Sequence, residues 1–222
     1  VIAARARVSV KSWGLRMAPA TTLLAAPLVA LALAILATAL PILAGNSEFE
    51  PSGMGEVQRL AEARSVEALE LKLDLDEQPR PLGSAVVRGL VVGVIAGLLF
   101  APIVELPWRG LVLTELTASG FAYAAVVSAA LSALWWLPFQ LLVGMSGFHS
   151  AGAAAVGVGS WALVGVPLAW ARVRTGSILP GAVLAVSVSA LSDIPRLATA
   201  GGSHLQLELC GLAAVGLLAG AA

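Results

Sequence analysis

The sequence predicts an all-α membrane protein, a polytopic bundle of about six transmembrane helices. Of its 222 residues, 59% are hydrophobic and 12% are charged, about half the charged share of an ordinary soluble domain. The mean hydropathy of +0.92 is correspondingly high. Several apolar runs also reach the ~20 residues that a helix needs to cross a bilayer. Together these observations indicate an integral membrane protein whose surface contacts the lipid bilayer.

Six apolar stretches are the predicted spans. The first follows a basic N-terminus that carries Trp13, an aromatic residue suited to the membrane interface. Its 24 residues contain no charge, whereas the apolar core of a signal peptide has ~7–15 residues, so we expect a retained helix rather than a cleaved leader. The second carries Gly89, Gly93 and Gly97, a spacing that lets membrane helices approach closely. The spans cover residues 21–44, 83–104, 121–143, 151–171, 177–194 and 205–222.

One polar segment, residues 45–83, separates the first two spans. It contains nine of the 13 acidic residues of the chain, and it is predicted to lie outside the membrane. Residues 55–70 suit a charged helix, and leucines alternate with charged residues over 69–76. That period of two is typical of a strand, which would dock a partner; the alternative is a solvated helical loop that caps the bundle.

Basic residues are distributed unevenly among the short loops, and this predicts the orientation. With the N-terminus in the cytoplasm, its four basic residues face that side together with Arg109, Arg172 and Arg174. Arg196 then remains outside, on the side of the acidic segment. Because short cytoplasmic loops are enriched in Lys and Arg, we expect a cytoplasmic N-terminus. The charges form no concentrated basic patch of the kind that nucleic acid requires, so no nucleic-acid partner is expected.

Glu105 and Arg109 stand out within the otherwise apolar stretch 101–110. A charge in hydrocarbon costs at least a few kcal/mol, so such residues are candidates for a functional site. Their four-residue spacing places both side chains on one face of a helix, where they can pair. The pair is either a structural ion pair that locks two helices or a contact for a ligand or substrate.

Three blocks of sequence resemble the CPBP family, the CAAX-protease and bacteriocin-processing intramembrane proteases. Ala-Pro-Ile-Val-Glu-x-x-x-Arg-Gly at 101–110 is similar to the first motif of the family. Ser-Ala-Leu-Trp-Trp-Leu-Pro at 132–138 is similar to the second, and residues 169–181 resemble the stretch before the third. The resemblance covers residues 84–195 and implies a CPBP-like membrane core in a bacterial cytoplasmic membrane.

The resemblance also implies that the catalytic residues are missing. The family's first motif has two adjacent glutamates, and here Val104 stands at the first position; Glu105 and Arg109 are retained. The two histidine positions and the Asn or Asp position fall on Trp136, Ala185 and Ser189. Peptide hydrolysis requires a base that activates water and groups that stabilise the oxyanion. Val, Trp and Ala offer neither, and serine offers one weak donor.

The remaining polar residues do not restore a site. If the third motif is shifted by four residues, Asp193 becomes its acid, but Ser189 then occupies the histidine position; the simpler interpretation is a helix-end acid near Arg196. His149 and His204 are predicted in outer loops and would form a metal pair only in a different topology. The single cysteine, Cys210, excludes an internal disulfide,. No metal site or cofactor signature is found. Glu115 is expected at the surface and Glu208 near the interface.

The sequence therefore divides into a basic N-terminus with the first span (1–44), an acidic extramembrane segment (45–83), the CPBP-like core (84–195) and a C-terminal span (196–222). The leading hypothesis is a catalytically degenerate intramembrane protease homologue that binds another membrane protein or a lipidated peptide as a scaffold subunit. One alternative is an active, divergent protease that uses Glu105. Another is a structural subunit of a larger membrane complex.

Overall fold

Helices account for nearly all of the regular structure. The computed structural model describes residues 13–55, 81–142, 151–202 and 204–221. Two short strands, β1 (Glu48–Phe49) and β2 (Thr199–Ala200), a π-helical segment (Leu106–Val112) and a 3₁₀ turn (Thr117–Ser119) also lie within these ranges. The α-helices are α1 (Ala20–Leu43), α2 (Leu82–Leu99), α3 (Ala101–Glu105), α4 (Leu113–Leu116), α5 (Phe121–Leu142), α6 (Ala151–Thr175), α7 (Leu179–Leu191), α8 (Ile194–Leu197) and α9 (His204–Ala221).

The predicted helical membrane bundle is confirmed. Each of the six predicted spans has a helical counterpart, namely α1, α2, α5, α6, α7 and α9. Within the described part of the chain, four helices are long and apolar enough to cross a membrane: α1, α2, residues Phe121–Pro138 of α5 and Ala155–Thr175 of α6. The fifth counterpart, α7, has 13 residues and is therefore about 20 Å long, shorter than the ~30 Å hydrocarbon core.

Helix α7 lies at the centre of the bundle, in contact with α1, α2 and α6. Eight of its residues are buried. The three glycines of α2 face α7, and a Cβ at Gly97 would lie 2.6 Å from the Cα of Val183. Gly89 and Gly93 approach Leu191 and Ser187 in the same way. The predicted close approach at these glycines is thus confirmed, and it places α2 antiparallel against α7.

The chain bends between α2 and α3. Helix α2 ends at Leu99, five residues before the predicted end of the second span. Pro102 lies at the start of α3; proline supplies no backbone N–H and disfavours helical geometry at the residue before it. The helix therefore breaks at Phe100 and continues as α3, the π-helical segment and α4.

A short segment at the N-terminal side of α1 is tied to the turn between α6 and α7. The backbone N–H of Ile178 donates to the Gly14 carbonyl at 3.0 Å, and the Ser177 hydroxyl donates to the Arg16 carbonyl. In return, Arg16 Nη2 donates to the Thr175 carbonyl at 2.9 Å. The start of α1 therefore lies at the same end of the bundle as the end of α6.

At the opposite end, β1 and β2 form a small antiparallel ladder, with Glu48 opposite Ala200 and Phe49 opposite Thr199. This ladder connects the described part of the acidic segment to the stretch between α8 and α9. The helix predicted over 55–70 and the strand predicted over 69–76 fall almost entirely within residues 56–80, which lie outside the described residues.

Candidate functional site

The Glu105–Arg109 pair is buried where α3 joins the π-helical segment. Arg109 Nη1 lies 3.1 Å from Glu105 Oε2, and the two residues are 2% and 5% exposed. The prediction that the four-residue spacing brings these side chains together is confirmed. The two charges neutralise each other in an environment where an isolated charge would be very costly.

Helices α5 and α6 complete the surroundings of Arg109. Its Nη1 donates a 2.7 Å hydrogen bond to the hydroxyl of Ser132 on α5. On α6, Gly165 leaves the space for the guanidinium, because a Cβ there would lie 2.9 Å from Arg109 Nη2. The same Cβ would overlap Ala129 on α5. Two small residues and one serine thus form the pocket that holds the arginine.

Two polar atoms of the pair remain without a hydrogen bond. Glu105 Oε2 and Arg109 Nε are both buried and neither has a hydrogen-bond partner. The 3.1 Å approach to Arg109 Nη1 is therefore an ion-pair contact that lacks the alignment of a hydrogen bond. Buried polar atoms are hydrogen-bonded in most proteins, so each of these two atoms would gain a hydrogen bond from a water or a polar ligand atom placed beside it.

The π-helical segment is held from α5 as well. A π-helix widens the backbone turn, and such segments often occur at functional sites. The Ser128 hydroxyl donates to the Trp108 carbonyl at 2.9 Å. The Trp108 ring also lies 6.0 Å from that of Trp135, at an angle of 52°. Trp108, Ser128 and Trp135 thus join the segment to α5 on both sides of the Arg109–Ser132 hydrogen bond.

Trp136 is half-buried and stacks on Trp161 of α6, with ring centroids 6.3 Å apart and an interplanar angle of 23°. Trp136 lies one helical turn beyond Ser132 on α5, and Trp161 lies one turn before Gly165 on α6. Because α5 and α6 pack side by side, the stacked indoles lie next to the pocket of Arg109. They fill volume at the position to which the resemblance assigns a histidine.

The third-motif positions lie on α7. Ala185 is buried in the main hydrophobic core, and the exposed Ser189 donates its hydroxyl proton to the Ala185 carbonyl at 3.0 Å. Since Gly97 lies at the level of Val183 and Gly93 at that of Ser187, Ala185 lies between these levels. On the α6 side, a Cβ at Gly181 would lie 3.4 Å from the Leu168 carbonyl, and Ala185 shares a hydrophobic cluster with Val164, the residue before Gly165. Ala185 therefore lies near the level of the Arg109 pocket, but it contributes no polar group.

The other candidate residues are dispersed. Asp193 lies 3.9 Å from Arg196, as expected for a helix-end acid, and Glu115 is exposed. His149 lies outside the described residues, while His204 begins α9 and Glu208 lies one turn later. Among the residues that the structure describes, no group of three or more His, Cys, Asp or Glu is placed to hold a metal ion.

Sequence reasoning did not identify Ser132 or Gly165 as parts of the site. Neither residue stands out in the sequence, because a serine or a glycine is common within an Ala-rich helix. Each also contacts Arg109 from a different helix, and a contact between helices cannot be read from local spacing. Ser132 does begin the second block of the resemblance, four residues before Trp136. Its hydrogen bond to Arg109 gives that position a physical role.

A family model matches the middle of the chain. The sequence model described as type II CAAX prenyl endopeptidase Rce1-like matches residues 87–191, close to the range 84–195 expected from the resemblance. The matched range runs from α2 to the end of α7, so that α1, α8 and α9 lie outside it. No curated protein and no solved structure matches the chain.

Proposed function

Residues 87–191 form a type II CAAX prenyl endopeptidase Rce1-like domain of the CPBP family. From this premise we propose that the chain binds its ligand and does not cleave it. It would hold a lipidated peptide, or a neighbouring membrane protein, as a scaffold subunit. The length and apolar composition of its helices make the chain an integral membrane protein. We further propose that it resides in a bacterial cytoplasmic membrane with its N-terminus in the cytoplasm.

The Trp136–Trp161 stack is the observation that carries the proposal. The two indoles lie one helical turn from Ser132 and Gly165. Activation of water requires a base beside the water and donors beside the developing oxyanion. A stacked tryptophan offers bulk and an apolar face where an imidazole is expected, so this position favours binding over hydrolysis.

The remaining family positions support the same conclusion. Val104 and Ala185 carry no group that ionises, and the Ser189 hydroxyl proton is bonded to a backbone carbonyl. The Glu105 carboxylate is engaged in an ion pair with Arg109. What the domain retains is its helical framework, including the Arg109 pocket.

One observation favours the alternative of an active, divergent protease. Glu105 Oε2 is buried without a hydrogen bond, and a carboxylate oxygen in that state can accept one from a water. Such a protease would use Glu105 as its base and recruit groups outside the family motifs.

The deciding experiment uses a farnesylated peptide that ends in a CAAX sequence, with the full chain reconstituted in vesicles. Binding is followed by the anisotropy of a fluorophore on the peptide, and cleavage by mass spectrometry of the same sample. The peptide without farnesyl is the matched ligand control. We expect saturable binding of the lipidated form and no cleavage above that in empty vesicles.

Cleavage above that in empty vesicles would reject the proposal. Its loss in a Glu105→Gln protein that still elutes as a folded particle on size exclusion would establish a protease that uses Glu105. Absence of both binding and cleavage would reject the lipidated-peptide ligand. The mass of the particle purified in mild detergent would then test the remaining role as a structural subunit, because a lone monomer contradicts that role.

A further inference from the structure

Residues 13–16 cross one end of the bundle as a short irregular segment, called the strap here. Hydrogen bonds from Gly14 and Arg16 to residues 175–178 tie it to the turn between α6 and α7. The strap precedes α1 and lies outside residues 87–191, which match the family. The chain therefore carries, at this end, an element that the family assignment does not explain.

The strap also contacts the π-helical segment, at the residue that follows Arg109. A Cβ at Gly110 would lie 2.9 Å from the carbonyl oxygen of Trp13, so the strap can pass this close only because residue 110 is a glycine. On the other side, a Cβ at Gly14 would lie 2.5 Å from Arg172 Nε. The strap thus extends from the π-helical segment to α6 and to the start of α7.

The π-helical segment and α6 are also two of the elements that surround Arg109. On α6, Gly165 contacts the guanidinium and Arg172 contacts the strap, and the seven residues between them correspond to about 10 Å along the helix. Arg172 is in the last turn of α6, and Trp13 is a residue type suited to the membrane interface. The strap therefore lies between the Arg109 pocket and the membrane surface at this end of the bundle.

Polar groups would reach the pocket at the lowest cost from this end. Glu105 Oε2 and Arg109 Nε are buried and have no hydrogen bond, so they are the atoms that such a group would contact. A polar group that came through the hydrocarbon would first lose its hydration without compensation. The approach from the membrane surface avoids much of this loss, and the strap lies across it.

Few apolar contacts hold the strap in place. The side chain of Leu15 is 40% exposed and that of the next apolar residue, Met17, is 77% exposed, so neither anchors the strap in the core. The hydrogen bond from Arg16 to Thr175 is exposed as well. Segments with few buried apolar contacts and exposed hydrogen bonds open locally at a small fraction of the cost of global unfolding.

We propose that the strap closes the approach to the Arg109 pocket from this end of the bundle, and that its release admits the polar end of a ligand. Release uncovers the backbone of the π-helical segment at Gly110 and the turn between α6 and α7. The identity of the ligand rests on the proposed function, whereas the closure itself does not.

Closure is measured, without any ligand, by the reactivity of a buried cysteine. In a Cys210→Ser background, Ser132→Cys places a thiol in the pocket. Ser187→Cys places one between α2 and α7 and reports general loosening; the two serines are 5% and 0% exposed. The intact chain in mild detergent is treated with a small charged methanethiosulfonate, which reacts from water, and mass spectrometry gives the rate.

Two pairs of variants change the strap without changing the pocket. Gly14→Ala weakens the strap, because Gly14 has a φ of +87°, a conformation that is strained for alanine, and the added Cβ would overlap Arg172. Gly45→Ala is the matched control, since Gly45 has a φ of +70°, meets no atom within 4 Å and follows the opposite end of α1. Arg16→Ala removes the side-chain donor of the strap, and Arg174→Ala replaces an exposed arginine at the same end.

The thiol at position 132 should react at least about tenfold faster in Gly14→Ala and about fivefold faster in Arg16→Ala. The thiol at position 187 should react at an unchanged rate, and neither control should alter either rate. Equal rates at position 132 in Gly14→Ala and Gly45→Ala would overturn the proposal, as would an equal acceleration at both positions. If Gly14→Ala does not elute as a folded particle on size exclusion, the Arg16 and Arg174 pair decides the question.

The farnesylated peptide then tests the consequence of closure. Because only the open state would bind it, its affinity should rise in Gly14→Ala by the same factor as the rate at position 132. Unchanged affinity together with faster labelling would overturn the role of the strap in admitting this ligand. If the peptide binds neither the unmodified chain nor Gly14→Ala, the proposed function fails, and the labelling rates alone decide whether the strap closes the pocket.

Discussion

The hydroxyl of Ser132 accepts a 2.7 Å hydrogen bond from Arg109 Nη1, across the boundary between the π-helical segment and α5. This bond joins a buried charge to a second helix, and Ser132 is 5% exposed. The geometry makes Ser132 the inter-helix partner of the one ion pair that the described part of the core contains.

Replacement of Ser132 by alanine is expected to destabilise the protein by about 1.5–3 kcal/mol, the range for a hydrogen bond to a charged group. The free energy of unfolding is measured in mild detergent by denaturant titration. Ser128→Ala is the matched control, because Ser128 is buried on the same helix and donates to the neutral Trp108 carbonyl. It should cost about 1 kcal/mol. Equal losses in the two variants would show that the hydrogen bond between Ser132 and the charged Arg109 contributes no more stability than a neutral hydrogen bond.

Gly165→Ala is expected to destabilise the protein by about 1–3 kcal/mol, the usual range for overpacking. The added Cβ would overlap Ala129 and lie 2.9 Å from Arg109 Nη2. Gly159→Ala, on the same helix, would place its Cβ 3.7 Å from the nearest atom, Leu212 Cδ1. That control should be neutral or stabilising by up to about 1 kcal/mol. The same unfolding titration applies, and a Gly165→Ala protein as stable as the control would contradict the described packing.

Glu105→Gln and Arg109→Met should each destabilise the protein by about 3–5 kcal/mol, because each leaves a buried charge without its partner. The double variant should lose less than the sum of the two single losses. A double-mutant cycle built on free energies of unfolding gives the coupling. Additive losses would mean that the two residues do not act as a pair.

The cytoplasmic N-terminus is tested by labelling single cysteines in intact cells. Cys210→Ser gives a background without cysteine, and Ala44→Cys and Ser119→Cys are then introduced at exposed positions. Ala44 follows α1 at the end opposite Gly14, whereas Ser119 precedes α5. A membrane-impermeant maleimide should label position 44 and leave position 119 unlabelled until the cells are opened. The reverse pattern would establish the inverted orientation.

Much of the local geometry could be predicted from the sequence. The boundaries of α1 and α5 lie within one residue of the predicted spans. A long apolar run and the glycine beside it determine such a boundary through residues that are close in the sequence. The end of α2 was not anticipated: the apolar run continues to Val104, while the bend depends on Pro102. A hydropathy pattern does not register the loss of a single backbone donor.

The sequence by itself determined that this chain is a helical membrane protein, that Glu105 and Arg109 share one helix face, and that Gly89, Gly93 and Gly97 allow a close helix contact. These follow from spacing within one helix, where 3.6 residues per turn fixes the neighbours. Only the tertiary structure decided that Ser132 and Gly165 surround Arg109 and that Trp136 stacks on Trp161. Such relationships depend on the register between helices, which is set by the packing of many small side chains at once and leaves no periodic signal in a single sequence.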